Sequence, residues 1–474
     1  MKVQFIVPPE THSIESSVPK QLEGGKGFYP KLGLLSVAAH LERVGGYPTA
    51  SIDCPADRID YPELERRLRA DPPDLVGIST LTFNLIDTML TVRAVKRAAP
   101  RAQICMGGQH VNLYPRETLG LDGIDFVIAG EGERSFTQLV QALDQGAGPE
   151  RLDAIPGLGW KDGALHLSPQ RDTITQLDQL PFPARHLIEL DHYSHMIGKG
   201  KRIATLQSSR GCPAACTFCD IRKTRFRERS PENVRQEILE LVELGVDDLF
   251  FVDDTITINK KRMLALCDLL TTRGPKINFK ISARVDTVNP ELLAALKRAG
   301  CYRIHYGVES ATQRLLDYME KGSNLNKIRR AFQWTREAGI GSFAYMMIGI
   351  PSETYAEMMA SVDLAIELDP DYAQFSICTP YPKTELYFRM LKDGHVPYDY
   401  WQSFSENPTE DFRVRFWNRD FSEDQLREIQ AECHQRFYSR FKVLAREALR
   451  VRSVGHLLSK VQIGTNILLK RINA

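Results

Sequence analysis

Cys212, Cys216 and Cys219 stand with three and then two residues between them in Ser209-Arg210-Gly211-Cys212-Pro213-Ala214-Ala215-Cys216-Thr217-Phe218-Cys219-Asp220, a glycine-started loop behind the apolar run Ile203 to Leu206. Thiols at this spacing can point at one small inorganic core. A core held by three cysteinates leaves one metal ion without a protein ligand, and an open coordination site is where a metal does chemistry. A structural zinc site wants four protein ligands, and no Cys or His follows Cys219 at ligand spacing.

The elements that must position this loop follow from the rest of the chain. At 474 residues it has material for two to three domains, and its 43% hydrophobic and 26% charged composition is that of a globular protein. A formal net charge of +1 excludes a global nucleic-acid footprint. The start Met1 to Pro8 reads as a short strand entering a Pro turn rather than a signal peptide, and no apolar run reaches membrane-spanning length. A cytoplasmic location is expected, where thiols stay reduced and clustered cysteines are metal ligands first. Cys54, Cys105, Cys267, Cys301, Cys378 and Cys433 are scattered in apolar surroundings and read as buried, inert thiols.

Residues 1–145 alternate apolar runs (Val3 to Val7, Thr49 to Ile52, Leu75 to Ser79, Gln103 to Met106, Phe126 to Ala129) with helical patterns. That alternation implies a doubly wound parallel sheet, flavodoxin- or Rossmann-like, whose ligand sits beyond the carboxyl ends of the strands. The residues there are Ser79-Thr80-Leu81, Gly107-Gly108-Gln109-His110 and Gly130-Glu131-Gly132-Glu133, with glycines that let a large ligand approach the backbone. Residues 146–200, rich in Pro, Gly and Asp, read as an ordered linker with a hairpin around Lys161-Asp162-Gly163.

From 201 to 400 a second alternation runs through Ile203 to Leu206, Leu249 to Val252, Phe279 to Ser282, Tyr302 to Tyr306, Phe343 to Ile348 and Gln374 to Ile377. Its strand ends carry Asp253 and Asp254, Ser282 and Arg284, Glu309 and Ser310, and Gly349-Ile350-Pro351-Ser352-Glu353. Residues 401–474 are aromatic, then helical. The last 44 hold nine Lys or Arg against Glu432 and Glu447, a basic amphipathic pattern able to lie on an anionic membrane surface or to pack over the barrel mouth.

The CxxxCxxC loop after a first barrel strand resembles the signature of the radical S-adenosylmethionine (radical SAM) superfamily. Pro30-Lys31-Leu32-Gly33-Leu34-Leu35, Gly108-Gln109-His110 and Gly130-Glu131-Gly132-Glu133 resemble its cobalamin-binding class, and Ser79-Thr80-Leu81 followed by Gly107-Gly108 resembles the later part of the cobalamin-domain signature. The opening Asp-x-His-x-x-Gly of that signature is missing; Glu10-Thr11-His12-Ser13-Ile14-Glu15 stands at the corresponding place, with His12 as a solvated loop residue in preference to a cobalt ligand.

The resemblance implies a fold and a chemistry. The N-terminal sheet would be followed by a partial (βα)6 TIM-type barrel and a helical C-terminal extension. Cys212, Cys216 and Cys219 would bind a 4Fe-4S cluster that reductively cleaves S-adenosylmethionine (AdoMet) to a 5'-deoxyadenosyl radical. Ser79, Thr80, Leu81, Gly107, Gly108, His110, Gly130 and Glu131 would contact cobalamin, the methyl carrier.

For AdoMet the resemblance implies Phe218 packed on adenine, Arg284 on the methionyl carboxylate, and Glu309 with Ser282 on the ribose or amine. Asp254 joins this set, and Gly349, Ile350 and Pro351 would form a backbone shelf under adenine. Asp253 or Asp254 could equally cap the following helix, and Arg227 and Arg229 could balance the cluster's charge or lie in solvent. Tyr381-Pro382-Lys383 resembles the family's last strand-to-helix turn with Lys383 where Gly is usual.

The expected function is methylation of an unactivated carbon of a small metabolite, the tail tilting the substrate towards a lipid-like or other hydrophobic natural product. An electron donor such as flavodoxin or ferredoxin is the expected protein partner, with no nucleic acid, and peripheral membrane contact would run through the tail. Alternatives are an oxidative cyclase or rearrangement enzyme with the same cofactors, and a cluster-based cobalamin or redox sensor. A tRNA methylthiotransferase would bring extra cluster cysteines and an RNA-binding barrel, and the chain shows neither pattern.

Overall fold

The computed structural model describes residues 1–14, 28–194 and 198–449. It divides into two compact units, the first holding residues 1–14, 28–194 and 396–413 and the second 198–395 and 414–449 of those described. The part of the basic tail beyond residue 449 lies outside the described residues.

In the first unit β1 (Val3–Val7), β2 (Thr49–Asp53), β3 (Leu75–Ser79), β4 (Gln103–Gly107) and β5 (Phe126–Ile128) run parallel in the order β2-β1-β3-β4-β5. That is the flavodoxin-like order, and the chain's direction of winding reverses between β1 and β3, which opens a crevice at the strand ends. Every residue of β1 is buried, as a strand covered by helices on both faces demands.

Two expectations about boundaries are corrected here. Residues 146–200 are not a linker over most of their length. β6 (Leu158–Lys161) and β7 (Leu165–Leu167) form the expected hairpin and extend the first sheet past β5 as antiparallel strands. The buried Leu158 and Trp160 explain why: two large apolar side chains belong to that core. Residues 401–413, assigned to the C-terminal region, fall in the first unit. Trp401 meets Phe83 edge-on at 5.7 Å, and Phe404 lies 4.1 Å from Phe412.

In the second unit β8 (Ile203–Leu206) leads to a short ladder of β9 (Ser209–Arg210) with β10 (Arg227–Glu228). β11 (Asp248–Phe251), β12 (Asn278–Ala283), β13 (Cys301–Glu309), β14 (Gly341–Ile348) and β15 (Tyr372–Ile377) then join β8 in one parallel sheet in chain order. Six sequential βα strands give the expected partial barrel its strand order, and the sheet does not pair β15 back to β8. Tyr306 on β13 packs against Phe332 of the helix Leu325–Glu337 at 5.1 Å and bonds Thr335, so it faces that helix. His305 turns to the opposite side, against Phe343 and Tyr345 of β14.

The free edge of β15 is sealed by side chains. Along the helix Glu423–Tyr438, Gln430, His434 and Tyr438 stand one turn apart. Gln430 donates to the Phe375 carbonyl at 2.8 Å, Phe375 N–H donates to His434 Nε2 at 3.3 Å, and the Tyr438 hydroxyl takes the Ala373 N–H and gives to its carbonyl. Such side-chain bonds remove the aggregation hazard of an open edge. Among the described residues no helix is long and apolar enough to cross a membrane.

Burial holds the His434 imidazole down to about 4, keeping it neutral with Nε2 as acceptor. Its ordinary value is near 6.5, so the unfolded chain binds the extra proton between those limits. Stability conferred by the neutral ring is full above about pH 6.5 and is lost as pH falls towards 4. His434→Leu is expected to lower stability at neutral pH by about 1–3 kcal/mol through the stranded Phe375 N–H, and to flatten the acid limb of a denaturant-midpoint profile between pH 4 and 6.5.

Candidate active site

The cysteine loop hangs from two neighbouring carboxylates just beyond the end of β11. Asp253 accepts the Ser208 N–H at 3.1 Å, the Ser208 hydroxyl at 2.8 Å and the Ser209 hydroxyl at 2.5 Å, and Asp254 accepts the Gly211 N–H at 2.9 Å. Neither caps the next helix, which Asn259 does. Burial pushes the Asp253 carboxyl up, opposed by its serine and backbone hydrogen bonds and by the Arg262 charge. The β9–β10 ladder ties both ends of the excursion that carries the thiols, and Thr224 closes it further by taking the Cys212 N–H on its hydroxyl at 2.8 Å. The far side is pinned by Thr217, whose N–H donates to the Met319 carbonyl, and by Arg222, which bridges Glu320 and Glu385 at 3.0 Å each.

Around the thiols the donor set suits an anionic iron–sulfur core. Cys212 and Cys216 are buried and Cys219 partly so. Arg284 Nη1 lies 3.6 Å from Cys216 Sγ, and the Thr255 hydroxyl 3.9 Å from Cys212 Sγ. Thiolate ligands with hydrogen-bond donors at their sulfurs are the environment such a core requires.

The same neighbourhood revises several expected roles. The Arg284 guanidinium grips Asp286 through Nε and Nη2 at 2.9 and 2.8 Å and gives a 2.6 Å bond to the Lys321 carbonyl, so it serves the cysteine loop first. Glu309, in the left-handed region at φ 71°, receives Lys321 Nζ at 2.7 Å, and that ammonium sits 5.8 Å from the Phe218 ring centre. Both partners are buried. Gly307 makes room for them, since a Cβ there would fall 2.5 Å from Glu309 Oε1 and 2.7 Å from Lys321 Nζ. Ser282 lies half-buried beside His305 in register. Phe218, Arg284, Glu309 and Lys321 are thus linked by direct contacts around Cys216.

Lys321 escaped the sequence reading. It follows a short helix twelve residues after Glu309, and only the Lys321-Gly322 pair at the helix exit marks it.

The turn Gly349-Ile350-Pro351 is not the open shelf expected for adenine. All three residues are buried. A Cβ on Gly349 would meet Leu426 at 2.9 Å. Ile350 N–H already donates to Glu353 Oε2 at 3.0 Å, and its carbonyl takes the Glu353 N–H at 2.8 Å and Asn418 at 3.5 Å. Arg229 is likewise no charge balance for the cluster: it is buried against Glu237 and the Gln207 carbonyl. Arg227 pairs through its backbone with Arg210.

At the strand ends of the first sheet the expected cobalamin residues separate into two sets. Ser79 at the end of β3 and Leu81 after it (53% exposed) stand open, and at half-buried Gly107, the end of β4, a Cβ would meet only Ile128 O, at an ordinary contact distance of 3.8 Å. Gly108, at φ 94°, would put a Cβ 2.7 Å from Ser79 Oγ and Thr80 O, so its bareness lets β3 and β4 end side by side. An open cradle beside bare backbone fits a large planar ligand.

Thr80 and His110 lie behind that surface. The His110 ring is fully buried, with Nδ1 3.0 Å from the Thr82 hydroxyl, and burial pushes it down to about 3. Its Nε2 is buried and takes no hydrogen bond among the described residues. Gly130 N–H donates to Asn112, and Glu131 accepts the Ile174 N–H at 2.7 Å, binding the β5 turn to the residues after the hairpin. His12 is held by Asp87, which takes its N–H at 2.7 Å and faces its ring at 3.2 Å.

Residues 206–365 match the model of the Radical SAM superfamily, and residues 25–140 that of the B12 binding domain. An uncharacterized methyltransferase of Pyrococcus horikoshii is 31% identical over 453 residues, covering 94% of each chain. An anaerobic magnesium-protoporphyrin IX monomethyl ester cyclase of Cereibacter sphaeroides is 30% identical over 409 residues, covering 84% of this chain and 65% of its own. Among solved structures, the cobalamin-dependent S-adenosylmethionine radical enzyme OxsB with aqua-cobalamin and S-adenosylmethionine bound gives a TM-score of 0.72 at 16% identity over 99% of this chain and 71% of that one. The radical S-adenosylmethionine methyltransferase TsrM from Kitasatospora setae gives 0.70 at 17% over 93% and 89%. At those identities the likeness is one of fold.

Glu353 yields a test of the covered turn. Burial pushes its carboxyl up to about 8, so the folded protein holds a proton there that the unfolded chain releases near 4.5. Stability therefore falls as pH rises from about 4.5 to 8, by at most about 1.4 kcal/mol per pH unit. Glu353→Gln is expected to remove that slope, gaining on the parent most at pH 8, as read from denaturant midpoints across the range.

Proposed function

The chain belongs to the radical SAM superfamily, in the group that carries a B12 binding domain, and from that premise we propose that it transfers a methyl group to an unactivated carbon of a small, largely apolar metabolite. The observation that carries this reading is the pairing, in one chain, of the anchored three-cysteine loop with the open β3–β4 cradle. When bound, the 4Fe-4S cluster supplies the electron that cleaves AdoMet, and cobalamin supplies the carrier of the methyl group.

The residues of the chain divide the remaining work. Cys212, Cys216 and Cys219 hold the cluster, and Asp253 and Asp254 fix the loop so that the three sulfurs keep their places. Arg284 donates to Cys216 and steadies it. Lys321 is the buried cation best suited to the AdoMet carboxylate, with Glu309 for its amine or ribose and Phe218 for an apolar face of the molecule. Ser79, Leu81, Gly107 and Gly108 bound the cradle for cobalamin.

The substrate class follows from the other face of the second sheet. Phe343, Tyr345 and Met347 on β14 are half-exposed in strict alternation with buried neighbours, as are Tyr372, Gln374 and Ser376 on β15. His305 stacks on Phe343 at 4.9 Å and meets the Tyr345 hydroxyl at 3.1 Å. Such an aromatic wall with a few polar groups suits a flat or apolar molecule bearing one hydrogen-bonding function. The same wall, with the 30% identity to the cyclase, favours a second reading: oxidative cyclisation with the same cofactors and no methyl transfer.

One experiment separates these. Anaerobically reconstituted protein is incubated with AdoMet, a strong reductant and hydroxocobalamin, and 5'-deoxyadenosine, S-adenosylhomocysteine and bound cobalamin are quantified. Formation of both nucleoside products with bound cobalamin is the expected result, and product mass then distinguishes a gained methyl from lost hydrogen. Deoxyadenosine without cobalamin binding sinks the methyl-transfer reading. Lys321→Met is expected to weaken AdoMet binding by about tenfold to a hundredfold, measured by calorimetry, with iron content unchanged.

A further inference from the structure

The cysteine loop is backed by one stretch of chain, Arg222 to Arg225. Lys223 N–H donates to the Ala214 carbonyl at 2.8 Å, Thr224 N–H donates to the Cys212 carbonyl at 3.0 Å, and Gly211, at φ 86°, has no room for a Cβ against the Arg225 carbonyl. Hydrogen-bonded backbones lie about 5 Å apart, so this stretch is one chain's thickness from the segment that carries the thiols. Its other side faces water: Lys223, Thr224 and Arg225 are exposed, and neither Lys223 nor Arg225 makes an ion pair among the described residues.

Arg222 joins this stretch to a helix. Its guanidinium bridges Glu320 and Glu385, and Glu385 opens the helix Glu385–Lys392. Along the same helix face, three and seven residues on, stand Phe388, 47% exposed, and Lys392, exposed and without an ion pair among the described residues. Arg389 pairs with Glu320 and Glu385, so the charges of Arg222, Arg389 and these two carboxylates cancel. Lys223, Arg225 and Lys392 remain as uncompensated cations around one apolar side chain, against the exposed Asp220 of the loop itself.

We propose that Lys223, Arg225, Lys392 and Phe388 form the docking face for a small acidic protein that carries single electrons on a flavin or an iron–sulfur centre. The proposal rests on the reading that the three thiols hold a cluster. Each AdoMet cleaved takes one electron, which the carrier loses and the cluster gains, with no bond or proton exchanged. A lone phenylalanine rimmed by cations suits a transient encounter of small area whose rate is set by charge. A bilayer would need a broader apolar face, and a nucleic acid a longer row of cations.

The test mixes cluster-reconstituted protein anaerobically, in separate arms, with a reduced bacterial flavodoxin, a reduced 2Fe-2S ferredoxin and dithionite. Cluster reduction is followed by its visible absorbance, and binding of each carrier by calorimetry. One carrier at least should reduce the cluster at a rate that falls about tenfold between about 50 and 500 mM salt. Lys223→Glu with Arg225→Glu should lower that rate and the affinity about tenfold at low salt, with iron content kept and the dithionite rate changed less than about twofold. Lys223→Arg with Arg225→Lys should keep both, and Phe388→Ser should weaken binding about threefold to tenfold. If the charge-reversed protein loses iron, the salt dependence of the parent decides. Reduction by a carrier that ignores both salt and charge reversal, reduction by dithionite but by neither carrier, or tighter binding to anionic vesicles or RNA than to either carrier would each overturn the proposal. A cluster that dithionite also fails to reduce would sink the proposed function and this face with it.

Discussion

A parallel sheet of six strands that stops short of closing leaves its last edge with unpaired backbone groups, and much of the second unit answers that constraint. Gln430, His434 and Tyr438 complete the β15 ladder from a helix, which fixes where that helix must lie. Once there, it carries Leu426 over Gly349, and Asn418 reaches the Ile350 carbonyl. The turn after β14 is consequently interior. The cysteine loop and the buried charges around it lie instead at the ends of β11, β12 and β13.

At those ends the balance of charge is handled by pairing rather than by exposure. A buried carboxylate is costly unless hydrogen bonds or a cation meet it, and a cluster held by three thiolates would add further negative charge. Asp253 is met by serine hydroxyls and N–H groups, Asp286 by Arg284, and Glu309 by Lys321. Arg284 spans two of these tasks, because the guanidinium that neutralises Asp286 also faces Cys216. This economy explains why an arginine placed by sequence at a strand end need not be the one that greets a substrate carboxylate. Its planar fork is better used where several acceptors converge.

The strands of both sheets and the three-cysteine loop were legible because each is written locally: apolar runs of strand length between helical patterns, and thiols at fixed spacing. What was not legible depends on distant partners. The hairpin at 158–167 was seen, but its flanking Pro and Gly suggested a tether, and only the burial of Leu158 and Trp160 shows that it belongs to the first sheet. Residues 401–413 return to the first unit through Phe83 and Trp401, a pairing across more than three hundred residues that no window reveals. Lys321 depends on Glu309 in the same way, through a buried contact made after a helix has turned the chain back.

Strand-end glycines show where reading by position reaches its limit. Gly107, Gly108 and Gly349 look alike in sequence, each just at or past a run of strand residues. Gly107 is half-buried, with only the Ile128 carbonyl, at 3.8 Å, near the place of a Cβ. Gly108 takes a φ of 94° and lies so near Ser79 and Thr80 that its missing side chain serves the approach of one chain segment to another. Gly349, at φ 70°, makes room for Leu426. The same absence of a Cβ thus answers different neighbours: a strand end at Gly108 and a helix at Gly349. Only the position of those neighbours decides which, and that position is set by the open edge of β15 in one unit and by the β3–β4 register in the other.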